Sequence, residues 1–177
     1  MALVGAAYQV RAGTITTPLV GDVVITDTAA EMCSDASTGT TIIPVSLQVS
    51  VRLSTGTLQE YAAKSVGTVS SAGAAFVPLP LRSNAAAATS TARVAAAGGV
   101  TVTAELATTT ARHWEFANPV AAGAGADPGL AAIPWQPRVP PTLVGPRCFY
   151  VQIAATTTGP SYYAHYDFIE GPTATLL

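Results

Sequence analysis

Charge is what this sequence has least of. Asp, Glu, Lys and Arg make up 10% of its 177 residues, against about 25% in an ordinary globular domain. Lysine nearly vanishes: Lys64 stands alone, and arginine supplies the rest of the positive charge. A net charge of −2 leaves no electrostatic footprint for nucleic acid or an anionic membrane surface, so neither is an expected partner. Disorder is excluded as well. Disordered chains are polar and highly charged, whereas 49% of this one is hydrophobic. No apolar run approaches ~18 residues, so no membrane-spanning helix is expected. The first residues lack a basic stretch followed by a continuous apolar run, so no signal peptide is expected. Cysteine is also scarce. Cys33 and Cys148 lie far apart, in no CxxC or CxxH pattern, and read as two buried reduced thiols. A single disulfide is the alternative and requires an oxidising compartment.

Catalytic groups are few: two histidines, ten carboxylates and one lysine. No GxGxxG, Walker, HExxH or GxSxG motif is present, and the carboxylates are scattered. One constellation stands out. His113-Trp114-Glu115 and His165-Tyr166-Asp167 both read His-aromatic-acid. Residues two apart on a strand share a face, so each histidine is expected beside its carboxylate. Two such strands side by side would bring four N/O ligands to one metal. The plainer reading has each histidine bonded to a neighbour on a sheet surface. That reading is adopted, so no catalytic, cofactor or metal residues are assigned. Arg52, Arg82, Arg93, Arg112, Arg138 and Arg147 are dispersed and read as strand-edge or surface charges. Glu60 and Lys64 are placed to pair on one strand face, a contact worth little if exposed.

What the sequence does have is period-two alternation. In Ile43–Leu53, Val45, Leu47, Val49, Val51 and Leu53 share one face, opposite Ser46, Gln48, Ser50 and Arg52. Val100–Thr110 and Cys148–Thr156 repeat the pattern. In Tyr162–Glu170 both faces carry aromatic or apolar groups, as in a strand that is central or covered. Weaker strands are predicted at Asp22–Thr26, Leu58–Val66, Ala75–Leu81 and His113–Asn118. Turn-rich stretches such as Ser54-Thr55-Gly56 and Thr158-Gly159-Pro160 separate them. Eight or more strands at this spacing predict a single all-β domain over 1–177, an antiparallel β-sandwich of jelly-roll type. Three segments fit less well. Ser83–Ala97 is alanine-rich and reads as a short helix or as extended chain. Pro119–Pro146 is dense in glycine and proline and reads as a long surface excursion, with Trp135 as a packing anchor. Met1–Gly21, interrupted by Pro18, reads as an extended N-terminal arm.

With so little charge, alanine, threonine, serine and glycine must cover much of the surface. Such a surface repels its neighbours weakly and suits burial in an assembly, where few charges need desolvating. A closed homo-oligomer is expected, most simply a trimer.

Four stretches carry a resemblance: Ile43-Pro44-Val45-Ser46-Leu47-Gln48, Tyr61-Ala62-Ala63-Lys64-Ser65-Val66, Phe76-Val77-Pro78-Leu79-Pro80-Leu81 and the closing Cys148–Pro172. In style the chain resembles phage virion structural proteins of the small β-sandwich type, such as capsid decoration (cement) proteins and head or fibre-tip subunits. The resemblance implies a non-enzymatic subunit without cofactors. It would sit in the virion after assembly in the host cytoplasm and bind the major capsid or another shell protein. The N-terminal arm and the Pro119–Pro146 excursion are then the expected contact segments. The competing class is a receptor- or carbohydrate-binding adhesin or fibre tip. It requires aromatic side chains aligned on one exposed face, with Trp114, Trp135, Tyr162, Tyr163 and Tyr166 as candidates.

Overall fold

The computed structural model describes residues 5–23, 29–53, 58–95, 99–102, 111–119, 132–156 and 159–176. They form two antiparallel sheets packed as a sandwich, with a small third sheet outside. The first sheet contains β1 (Ala6–Ala12), β2 (Leu19–Val20), β5 (Thr40–Leu53), β9 (Leu79–Pro80), β13 (Ile133–Trp135), β14 (Leu143–Val144) and β16 (Ser161–Pro172). Its order is β13-β5-β16-β1-β9, with β14 also on β5 and β2 on β16. The second sheet contains β4 (Met32–Ala36), β6 (Leu58–Val66), β8 (Ala74–Phe76), β10 (Thr91–Val94), β12 (Ala111–Pro119) and β15 (Arg147–Ala155). Its order is β12-β6-β15-β4-β10-β8. The third sheet pairs β3 (Ala29–Ala30), β11 (Val100–Thr101) and β7 (Ser71–Ala72). Among the described residues the single helical turn is α1 (Thr173–Leu176), and no helix is long and apolar enough to cross a membrane.

The main core lies between the two large sheets. Leu47, Val49, Tyr166 and Phe168 come from the first, and Met32, Tyr61, Phe149, Val151 and Ile153 from the second. Phe149 sits at its centre, edge-on to Tyr166 at 5.2 Å and stacked on Trp135 at 5.9 Å. The alternation of β16 is clean: Tyr162, Ala164, Tyr166, Phe168 and Glu170 are buried, while the residues between them are half-exposed. β5 changes phase partway. Asp167 pairs with Ser46 but Phe168 pairs with Pro44, so Val45 is an extra residue in the ladder. Before this bulge Ile42 and Pro44 are buried; after it Leu47, Val49 and Val51 are. Val45 therefore does not share the inward face expected from simple alternation.

Two expectations need correcting. The stretch 1–21 is not a free arm over its described part. All seven residues of β1 pair with β16, from Ala6↔Glu170 to Ala12↔Ala164, and β2 follows onto the same strand. Tyr8 and Val10 place apolar side chains in the core, which a detached arm would leave in water. The Pro-rich stretch 119–146 does not lead away from the domain over 132–146. Ile133 and Trp135 are buried as β13 pairs with β5, and Leu143 is buried in β14. Pro134 sits exposed in this edge strand, where a missing N–H costs no ladder bond. Gly145 closes the stretch against β4: a Cβ there would lie 2.0 Å from the Ser37 carbonyl oxygen. The remainder of that stretch, 120–131, lies outside the described residues, as do most of Asp22–Thr26 and 103–110 of Val100–Thr110.

The alanine-rich stretch takes the extended one of its two readings over 83–95, with a turn at 83–84 and β10 at 91–94. Long-range bonds hold it open. Tyr8 Oη donates to the Ala86 carbonyl at 2.9 Å, and Thr89 N and Ser90 N donate to the Glu170 carboxylate at 2.6 and 2.9 Å. A helix would turn those two N–H groups onto its own carbonyls, so the buried carboxylate decides the conformation.

Candidate functional site

The two His-aromatic-acid triplets lie on different sheets and do not converge. In β12 the register slips between Arg112 and Trp114, a bulge at His113. The extra residue sends His113 to Ser65 Oγ at 2.9 Å and onto Phe149, with ring centroids 6.1 Å apart. Glu115 instead pairs with Arg112 Nη1 at 2.5 Å. Thus the bulge breaks the two-residue spacing on which the pairing of His113 with Glu115 depended. Burial and the nearby Arg147 guanidinium lower the pKa of His113, as befits a neutral ring. His165 and Asp167 do share the outward face of the first sheet. There Asp167 accepts from Gln9 Nε2 at 2.8 Å and Ser46 Oγ at 2.9 Å, while Arg11 Nε bonds Gln9. That face is polar and its bonding partners are mutual.

The aromatic candidates for an adhesive face are not aligned on the surface. Trp135, Tyr162 and Tyr166 are buried, Trp114 packs against the main core, and Tyr163 is half-exposed on the opposite side of β16 from Tyr162. Glu60 and Lys64 do pair, at 3.3 Å, but as a buried pair beside Gln152 rather than a surface contact. An open cavity of about 450 Å³ is lined by Tyr8, Ala86, Thr89 and Glu170, whose polar atoms are engaged in the bonds already described.

The feature that remains is an edge. β8 is the last strand of the second sheet, β9 the last of the first, and Val77-Pro78 joins them. The chain thus closes one side of the sandwich with a ribbon. Along it Val77, Leu79 and Leu81 are each about half exposed, at 55%, 51% and 50%. Large apolar side chains repeating at every second position are a patterned surface, unlike single exposed residues scattered by chance. An apolar edge strand invites pairing with another chain through its backbone. Here that route is blunted. Leu81 N donates inward to the Ala7 carbonyl. The next position in the ladder, 80, must then carry its backbone groups outward, and it is proline, as is 78 in the connection just before the strand. The ribbon therefore offers side chains, and no outward N–H at those two positions, to whatever covers it.

Alternation does not mark this ribbon as exposed in the sequence, because Ala75–Leu81 reads simply as one weak strand. The prolines at 78 and 80 were the available signal, since proline is confined to sheet edges. Also missed were Asp35 and Ser70, which sit beside the cysteines. The two-residue spacing of Cys33 and Asp35 on a strand was the clue to the first.

No protein-family model, no curated protein and no solved structure matches this chain.

Proposed function

We propose that the chain is a non-enzymatic structural subunit of a virion, which self-associates and stabilises or decorates a capsid shell. One observation carries this reading: the apolar ribbon of Val77, Leu79 and Leu81 at the sandwich edge, on a chain with 10% charged residues. Covering that ribbon removes apolar area from water while desolvating few charges, the balance that favours a permanent contact. Proline at 78 and 80 then disfavours open-ended growth by strand addition and favours a closed ring. The subunit is a trimer in this reading. The hydrogen-bonded face around Asp167 stays toward solvent, and the shell protein is the second partner. Many weak copies bind a shell tightly together through avidity.

The test is to add purified chain to shells that lack it. Saturable binding and a raised shell disruption temperature are expected. A folded chain that neither binds shells nor copurifies with particles would remove the virion assignment.

A further inference from the structure

The outer face of the second sheet brings the two cysteines together. Arg93, Cys33, Tyr150 and Lys64 form one cross-strand row over β10, β4, β15 and β6. Thr91, Asp35, Cys148 and Val66 form the next. Cys33 and Cys148 are therefore diagonal neighbours, with Asp35 directly opposite Cys148. Both cysteines are fully buried beneath the third sheet, in a cluster with Ala30, Val66 and Val100. The two Sγ atoms and a carboxylate oxygen of Asp35 lie within 4.8 Å of one another. Ser70 Oγ touches two of the three residues, at 3.0 Å from Cys33 Sγ and 2.6 Å from Asp35 Oδ2. Ser70 N also donates to Asp35 Oδ1 at 2.8 Å, which fixes the carboxylate from outside.

We propose that Cys33, Cys148 and Asp35 form a binding site for a zinc-type divalent cation, with Ser70 Oγ in the fourth position. Two thiolates and one carboxylate are a donor set that favours a borderline-soft, tetrahedral ion over calcium or magnesium. Tetrahedral zinc holds such ligand atoms about 3.5–3.8 Å apart, so side-chain shifts of about 1 Å at most close the site. Charge balance supports it. With both thiols protonated, Asp35 is offset by Arg93, whose Nε lies 3.8 Å from Oδ2. On binding, one dication enters and two thiol protons leave, so the buried group is neutral before and after. Arg93 Nε is buried and has no hydrogen-bond partner among the described residues, which leaves it free to face the charged cluster. A pocket of about 220 Å³, lined by Asp35, Val69, Ser70 and Arg93, gives an ion access to the carboxylate from the surface. Placing a cation there would tie β4, β15 and the segment at Ser70 together without a disulfide.

The experiment is a cobalt(II) titration of the reduced, chelator-treated full chain, followed by zinc displacement. One equivalent per chain is expected, with a thiolate-to-cobalt charge-transfer band and release of two protons. Zinc at a hundredfold excess over its Kd should raise Tm by roughly 5–10 °C. Cys148→Ala should abolish the band while keeping the far-ultraviolet dichroism, and Asp35→Asn should weaken binding at least about tenfold. Absence of cobalt uptake by the folded wild-type chain would overturn the proposal. So would unchanged uptake in Cys148→Ala, or isolation of the chain with Cys33 and Cys148 joined as a disulfide. The wild-type titration decides alone if a variant does not fold.

Discussion

Over β4, β15 and β6 the two faces of the second sheet are both buried, yet they are built from different chemistry. The inner face places Met32, Tyr61, Phe149, Val151 and Ile153 against the aromatic side chains of the first sheet. The outer face carries Cys33, Asp35, Glu60, Lys64, Cys148, Tyr150 and Gln152, all buried as well. The inner face gains stability from removing apolar area and from close packing. The outer face depends on polar groups that must keep their partners, because a buried unpaired charge costs more than a pair returns. One sheet thus separates a packing core from a polar layer that holds the candidate cation site.

The largest way to break that comparison is at its centre. Phe149→Ala removes the ring that meets both Trp135 and Tyr166, and should cost about 4 kcal/mol in urea unfolding. A loss below about 1 kcal/mol would mean that the inner face is not a tightly packed core. On the outer face, Lys64→Met leaves Glu60 buried without its cation. It should cost about 3 kcal/mol, and adding Glu60→Gln should recover much of that. Equal stability of the single and double variants would show that the ion pair is not what the outer face depends on.

Glu31 tests the margin of the same sheet through pH. Burial chiefly, helped by the charge of Asp22, raises its pKa from 4.5 to about 7, against the opposing hydrogen bond from Tyr162 Oη. Between those values the folded chain holds a proton that the unfolded chain has lost. Stability from this group is therefore full below about pH 4.5 and is lost as pH rises through about 7, a change of roughly 3 kcal/mol. Glu31→Gln should flatten this slope in denaturant melts across that range; an unchanged slope would contradict the assignment. Smaller still, Ser70→Ala removes the hydroxyl between Cys33 and Asp35 but leaves the bond from Ser70 N. A loss of about 1–2 kcal/mol is expected by thermal unfolding.

The same contrast explains what the sequence could reveal. β6 matches its predicted range at Leu58–Val66, and β5, β15 and β16 fall within a few residues of theirs, because an apolar face in the main core imposes period two. The outer face was illegible for a matching reason. Over Cys33, Val66, Cys148 and Tyr150 its cover is a sheet of two-residue strands, too short to show any period, and the sequence does not show that Glu60 and Lys64 are buried. β1 escaped notice because Ala6, Ala7 and Ala12 carry a weak hydrophobic signal, although Tyr8 and Val10 alternate inward. The bulges at Val45 and His113 each add one residue, and composition alone does not announce such an addition. The ribbon at Val77–Leu81 read only as a weak strand, because exposure of an apolar strand depends on which edge it occupies.

The central claim is that this ribbon is covered by another copy of the chain. Its most direct test is the native mass of the wild-type chain beside that of Leu79→Asp Leu81→Asp, measured by light scattering at matched concentration. Both side chains are half exposed, so the substitutions should leave the melting temperature nearly unchanged. The expected result is a trimer for the wild type and a folded monomer for the variant. A wild-type monomer, or an oligomer that survives both aspartates, would contradict the claim.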